Sequence, residues 1–283
     1  MYRDILVSTD GSELSMRAAE QGLAIARELG ATVHVLSVVD VRDGLGRKDA
    51  REQARAECQS FTKTIADEVR ADDGSVVTSV RDGHPHHELL GYADEHEIDL
   101  IVVGTHGRTG VRRWVLGSVA TSVIRDSQLP VLTVGKNATD LPRQFDEILV
   151  TTDGRPGASA AVEHGIGLAE ETDATLHCLY VVDDTHSRTA VVIDAFEEVG
   201  EMATTDIAVQ ASERGVGTVR ALEYGLPSEA IVEYADDHGI DFIVMGTESR
   251  TGLERVAFGS VSQRVVAAAT APVLTVRATD SRS

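Results

Sequence analysis

The chain has 283 residues and a net charge of −20, from 46 acidic and 26 basic side chains; only Lys48, Lys63 and Lys136 are lysines. That length suits about two domains, each large enough for its own core, and the charge repels nucleic acid and anionic membranes, so neither is an expected partner. The apolar runs are strand-length and Met1-Tyr2-Arg3-Asp4-Ile5 begins no apolar leader, so no membrane helix or signal segment is expected and the reading is a cytoplasmic protein.

In chain order, Asp4–Thr9 is a short apolar strand ending at Asp10-Gly11-Ser12. A helix follows, with Leu14, Ala18, Gly22, Ile25 and Leu29 on one face and Gly30 closing it. Thr32–Val39 reads as the second strand and residues 40–49 as a loop at its carboxyl end. Residues 50–72 read as a polar-faced helix with Phe61, Ile65 and Val69 as its apolar stripe. Ser75–Val80 is the third strand, and a third helix opens at His84-Pro85, with proline at its favoured first position. Asp99–Gly104 is the fourth strand. After a glycine-containing loop, a helix starts at Gly117, and Pro130–Val134 is the fifth strand. Strands alternating with helices predict a mainly parallel sheet covered on both faces.

Residues 135–145 read as a linker, and then the pattern restarts. Asp146–Gly154 repeats Arg3–Gly11, and Thr175–Val182 repeats the second strand. Thr218–Tyr224, Leu226–His238 and Asp241–Gly246 repeat the third strand, third helix and fourth strand. Residues 98–134 laid without a gap over 240–276 match at 19 of 37 positions, among them Gly104/Gly246, Gly117/Gly259, Ser118/Ser260 and Pro130/Pro272. This is an internal duplication of one α/β domain, with a period far too long for a solenoid. The domains are taken as 1–137 and 145–278.

Gly104 to Ser118 carries the chemistry. A strand, a glycine loop and a helix opening on Gly117-Ser118 is the recipe for a phosphate site. Glycine lets the backbone approach an anion, and the free N–H groups and positive dipole end of the helix hold it. Asp10 either caps the first helix or faces a ligand.

The spacing Gly104-x2-Gly107-x9-Gly117-Ser118 resembles the nucleotide-binding signature of the universal stress protein family, as do the Thr9-Asp10-Gly11-Ser12 strand end and the final Pro130–Val134 strand. The resemblance covers residues 1–135 and 145–277. It implies a five-stranded parallel sheet in each half, strand order 3-2-1-4-5, with the two fifth strands paired antiparallel so that one chain forms an intramolecular pseudo-dimer. It implies that Asp10 and Val38, with Ser8 beside them, face a nucleoside. Val103, Gly104 and Gly107 would then line the loop, and Gly117, Ser118 and Val119 would donate to phosphates. The expected ligand is ATP or a related adenine nucleotide, with Mg as an optional companion. The implied role is a regulatory nucleotide-binding protein of the stress response; the alternative is a stress protein that binds no nucleotide and works through protein contacts. A second tandem chain and a regulatory protein are the two candidate partners.

The halves are unequal. From Gly104 to Ser118 the charges are Arg108, Arg112 and Arg113; from Gly246 to Ser260 they are Glu248, Arg250, Glu254 and Arg255, which cancel. Each cation within ~5 Å of a phosphate is worth about 1–3 kcal/mol. Ser249 also replaces the glycine that matches Gly107. A second, weaker site would use Asp153, Val181, Gly246, Gly259, Ser260 and Val261.

Other features are read plainly. Cys58 and Cys178 stand in no motif and are expected as buried filler. His84, His86 and His87 lack converging geometry for a metal and are expected at a solvated helix start. Gly44-Leu45-Gly46-Arg47-Lys48 lacks the spacing of a phosphate-binding Walker loop. No catalytic set is expected, beyond slow hydrolysis at most. Abundant acid with scarce lysine suits a salty cytoplasm, where screening makes high charge tolerable; an ordinary acidic cytosolic protein is the alternative.

Overall fold

In the first half, the apolar strand Asp4–Ser8 (β1) runs into the turn Thr9–Ser12, where Ser12 caps the helix Glu13–Leu29 (α1) by accepting the Ser15 N–H. The capping oxygen satisfies a helix N–H that would otherwise lack a partner. There follow β2 (Thr32–Asp40), α2 (Lys48–Ala71), β3 (Val76–Gly83), α3 (Pro85–Glu95), β4 (Leu100–Gly104), α4 (Ser118–Asp126) and β5 (Val131–Val134). The computed structural model describes residues 1–41, 48–107, 116–138, 144–185, 190–247 and 258–278.

Pairing is parallel throughout this half, in the order β3-β2-β1-β4-β5. The central strands are apolar on both sides because helices cover both faces; Ile5, Leu6, Val7, Leu100, Ile101 and Val102 are fully buried. Helix α1 lies close to the sheet. A Cβ on Gly22 would sit 2.9 Å from a Val7 methyl.

The second half repeats the plan with β6 (Glu147–Thr152), a 3₁₀ turn (Pro156–Ala158), α5 (Ser159–Thr172), β7 (Thr175–Val182), α6 (Ala190–Glu213), β8 (Thr218–Tyr224), α7 (Pro227–Asp237), β9 (Phe242–Gly246), α8 (Ser260–Ala268) and β10 (Val273–Val276). Its parallel order is β8-β7-β6-β9-β10. Each half is therefore a doubly wound sheet of order 3-2-1-4-5, as the repeat and the resemblance imply. Chain contacts divide into two compact units, Tyr2–Lys136 and Asn137–Ser283, with Met1 counted in the latter. Among the described residues no helix is long and apolar enough to cross a membrane.

Strand β3 runs three residues past the expected end at Val80. Its ladder follows β2 to the pair Asp40↔Gly83, and Arg55 neutralises Asp82 at 2.6 Å. A charge that would suggest a loop thus stays in the strand.

Two features of both units escape the sequence pattern. At the amino ends of β1 and β2, buried His34 shares hydrogen bonds with the Tyr92 hydroxyl (3.0 Å) and the Asp4 carboxylate (3.1 Å). The other unit repeats this with His177, Tyr234 and Glu147, both bonds at 2.8 Å. A buried polar side chain is tolerated when its hydrogen-bonding atoms are satisfied, and these networks meet that condition at the sheet end remote from the glycine loops.

The second feature is an exchange of bulk. Phe61 on α2 lies under Gly11, whose φ of +76° suits glycine and whose Cβ would meet the Phe61 ring at 2.3 Å. The position matching Phe61 is Ala203, and the aromatic ring comes instead from Tyr180 on β7, packed on Gly200. Under Gly154, the match of Gly11, an added Cβ would meet a Val199 methyl first, at 2.8 Å, with the Tyr180 ring at 3.8 Å.

Cys58 and Cys178 are both free and buried. Burial pushes the Cys178 thiol up to about 12. At about pH 8, a thiol reagent should modify Cys178 in the native protein at least roughly 100-fold more slowly than in the urea-unfolded chain. Equal rates would contradict this burial.

Candidate functional site

The candidate site lies at the carboxyl ends of β1 and β4, neighbours at the point where strand order reverses. Open α/β sheets bind ligands there because loops diverge from the two strands and leave a crevice.

From β1, the Thr9 hydroxyl accepts the Gly11 N–H (3.1 Å) and shares a bond with the Ser15 hydroxyl (3.1 Å), which fixes the turn. Asp10 Oδ1 accepts both the Ser12 N–H (3.0 Å) and the Ser12 hydroxyl (2.6 Å). The α1 cap is therefore Ser12, and Asp10 orients that cap. Asp10 Oδ2 points toward the glycine loop, since a Cβ on Gly107 would come within 2.6 Å of it.

From β4, Gly104 passes directly over the start of α1. A Cβ there would lie 3.0 Å from the Leu14 carbonyl oxygen and 3.1 Å from the Ser15 nitrogen. After the loop the chain returns to Gly117, whose N–H donates to the Thr105 carbonyl at 2.7 Å. A Cβ on Gly117 would sit 2.9 Å from that oxygen. Three glycines thus permit three close approaches, to α1, to Asp10 and to the strand end.

Gly117 is the N-cap of α4 and has no side chain to cap it. The helix start at Ser118 and Val119, exposed and half-buried respectively, presents first-turn N–H groups and the positive dipole end to the crevice. An anion is the natural complement. Ser8 ends β1. Val38 lies two residues past the β2 partner of Ser8. Val103 is buried at the end of β4. Strand register places these three at the same sheet end.

His106 belongs to no motif in the sequence. Its Nδ1 bonds the Thr105 hydroxyl (3.1 Å), and its buried Nε2 has no hydrogen-bond partner among the described residues. Its place between Gly104 and Gly107 was the available signal. Residues 108–115, with Arg108, Arg112, Arg113 and Trp114, lie outside the described residues, as do 248–257 with Ser249 and residues 42–47 of the Gly44–Lys48 stretch.

The second unit keeps the frame. Asp153 Oδ1 accepts the Arg155 N–H at 3.0 Å, and Gly259 donates to the Thr247 carbonyl at 2.7 Å. Its cavity of about 170 Å³ is lined by Asp153, Val181, Gly246, Gly259 and Val261 among others. Ser260 begins α8 and does not line the cavity. Tyr180 and Met245 make much of the wall apolar, and no Lys or Arg is among the described lining residues. Burial, then the Asp153 charge, raises the Tyr180 hydroxyl above its ordinary range. Arg155 Nε lies 3.9 Å from Asp153 Oδ2, an ion pair where the first unit has Ser12. The junction also differs, because Phe258 before Gly259 has φ +45° and is buried.

At the start of α3, His84 and His87 are exposed and His86 is half-buried. The His86 and His87 rings stand 4.0 Å apart. Among the described residues no group of three or more His, Cys, Asp or Glu side chains is placed to hold a metal ion.

The model of the universal stress protein family matches residues 1–135 and again 144–277. The chain belongs to the universal stress protein family. A universal stress protein from Synechocystis is 24% identical over 304 residues, covering 97% of this chain and 100% of that protein. One from Methanocaldococcus jannaschii is 35% identical over 142 residues, covering 48% of this chain and 84% of its own length. The crystal structure of a universal stress protein from Archaeoglobus fulgidus shares the fold, with a TM-score of 0.76 at 23% identity over 98% of this chain and 97% of that one. In this universal stress protein, the ends of β4 and β9 and the starts of α4 and α8 stand at corresponding places in the two units.

Proposed function

We propose that this universal stress protein binds an adenine nucleotide, ATP first among them, in the crevice of its first unit, and acts as a regulatory binding protein of the stress response. The observation that carries the reading is the uncapped start of α4, brought beside the carboxyl ends of β1 and β4 by close packing of Gly104 on α1 and of Gly117 on the Thr105 carbonyl. In this reading Gly117, Ser118 and Val119 donate to phosphate oxygens, Val103, Gly104 and Gly107 line the loop, and Ser8, Asp10 and Val38 face the nucleoside. The unpartnered His106 Nε2 supplies one more polar contact. Mg would accompany the phosphates as their counter-ion.

The second unit is the weaker binder in this proposal. Ser249 stands where the first unit has Gly107, and Gly246–Ser260 carries no net positive charge. Occupancy of the first unit would shift conformation or partner affinity, with a second chain or a regulatory protein as the receiver. The acidic surface would suit a salty cytoplasm, where ions screen its self-repulsion.

The test is calorimetric titration of the purified chain with ATP, joined to mass spectrometry of any ligand released on denaturation. The expected result is one tight site per chain. No heat at saturating ATP and no released nucleotide would favour action through protein contacts alone.

A further inference from the structure

We infer that the first unit holds a second anion site, unrelated to the glycine crevice, in the groove between α2 and the open edge of β3. Its ligand class is a free, multiply charged oxyanion of the phosphate type.

The groove encloses about 340 Å³ and is lined by Arg55, Lys63 and Arg70 with Gln59, Thr62 and Thr78; no carboxylate is among its lining residues. Residues 55, 59, 62, 66 and 70 recur at helical spacing, so they form one face of α2 running over about 22 Å. Buried Ala66 leaves the floor without bulk. The ladder bonds from Val33 N–H to the Ser75 carbonyl and from Val41 N–H to the Gly83 carbonyl turn odd-numbered peptide groups of β3 toward β2. The N–H and C=O groups of Thr78 and Val80 therefore face the open edge. Arg55 confirms this direction by donating to the Val80 carbonyl at 3.2 Å. Ammonium, guanidinium, hydroxyl and amide donors thus border one cavity.

The local charge is positive in a chain of −20. Asp82 takes Arg55 (2.6 Å) and Arg51 (3.5 Å), and Asp67 pairs with Arg70 at 3.2 Å. The three lining cations, Arg55, Lys63 and Arg70, meet two carboxylates, Asp82 and Asp67, and leave a surplus of one. Lys63 has no ion pair among the described residues. The Arg70 pair is exposed, and a multivalent anion can displace such a pair because it is held weakly.

The second unit shows that the fold does not require these cations. Aligned through Thr62/Thr204 and Ile65/Ile207, the positions of Arg55, Lys63 and Arg70 hold Glu197, Thr205 and Ser212. The second unit keeps one cation at the matching place, Arg220 on β8, which donates to the Thr205 hydroxyl. Either sign of charge protects an edge strand, so the larger cationic row of the first unit goes beyond edge protection and suits an anion.

Pyrophosphate is the probe, titrated at ionic strength held constant with KCl. In the Gly117→Val chain, which disables the glycine crevice, pyrophosphate should still bind. Adding K63T and R70S, the residues the second unit carries, should weaken it at least tenfold, whereas K63R with R70K should retain it within threefold. In the wild-type chain the amides of Thr62, Ala66 and Thr78 should shift in NMR spectra on titration. Shifts confined to Ser118–Ala120, or an affinity unmoved by K63T/R70S, would overturn the groove. Failure of ATP to bind the chain would not affect it.

Discussion

Gly117→Val should weaken ATP binding by at least about 100-fold, whereas Gly259→Val should leave the affinity of the chain's tight site within about threefold. At Gly117 an added Cβ lies 2.9 Å from the Thr105 carbonyl oxygen and 3.4 Å from the His106 Cα, both backbone atoms. Neither can turn aside as a flexible side chain would, so the loop and the start of α4 must separate. That displaces the first-turn N–H groups by enough to break their alignment with a phosphate. Hydrogen bonds to a charged acceptor are worth about 1.5–3 kcal/mol each, so losing two removes roughly 3–6 kcal/mol, or at least about 100-fold. Calorimetry with ATP measures the loss, and circular dichroism checks that the fold survives. An affinity for Gly117→Val within threefold of wild type would remove the basis for placing ATP in this crevice.

Gly104→Ala should destabilise the first unit by about 1–3 kcal/mol, and Gly246→Ala in the second should be neutral or stabilising by about 0.5 kcal/mol. The two residues end corresponding strands and match in the duplication. At Gly104 the new methyl meets the Leu14 carbonyl oxygen at 3.0 Å and the Ser15 nitrogen at 3.1 Å. At Gly246 the nearest atom is the Gly157 oxygen at 3.5 Å, an ordinary contact. Where space exists, alanine helps by restricting the unfolded chain; where it does not, overpacking dominates. Urea unfolding of each variant, followed by probes specific to each unit, reads the difference. Equal effects at the two sites would show that the closer approach of α1 in the first unit has no energetic consequence.

The candidate site was legible in sequence because its signal is compositional. Glycines at fixed spacing after an apolar strand mark close backbone approach whatever the partner is, and Asp10 and its repeat Asp153 sit beside them. What lay hidden were the identities of those partners. Asp10 proved to hold Ser12, the true cap of α1, and to face Gly107. His106 carried no pattern of its own. In helix α6, Val191, Met202 and Val209 are 79%, 61% and 53% exposed and spread its hydrophobicity beyond the buried face. Strand β3 was read three residues short because Asp82 looks like a loop residue until Arg55 is beside it.

The sequence by itself determined the alternation of strands and helices, the duplication and the glycine spacing that resembles the family's signature. These are written in neighbouring residues as periodicity, turn chemistry and repetition. Only the tertiary structure decided which atoms meet across the fold. It set Phe61 under Gly11 in one unit and Tyr180 on Gly200 in the other. It joined His34 to Asp4 and Tyr92, and brought Arg55, Lys63 and Arg70 over one groove against β3. Those meetings join residues far apart in the chain, and packing and burial select them among many arrangements that the same local pattern allows.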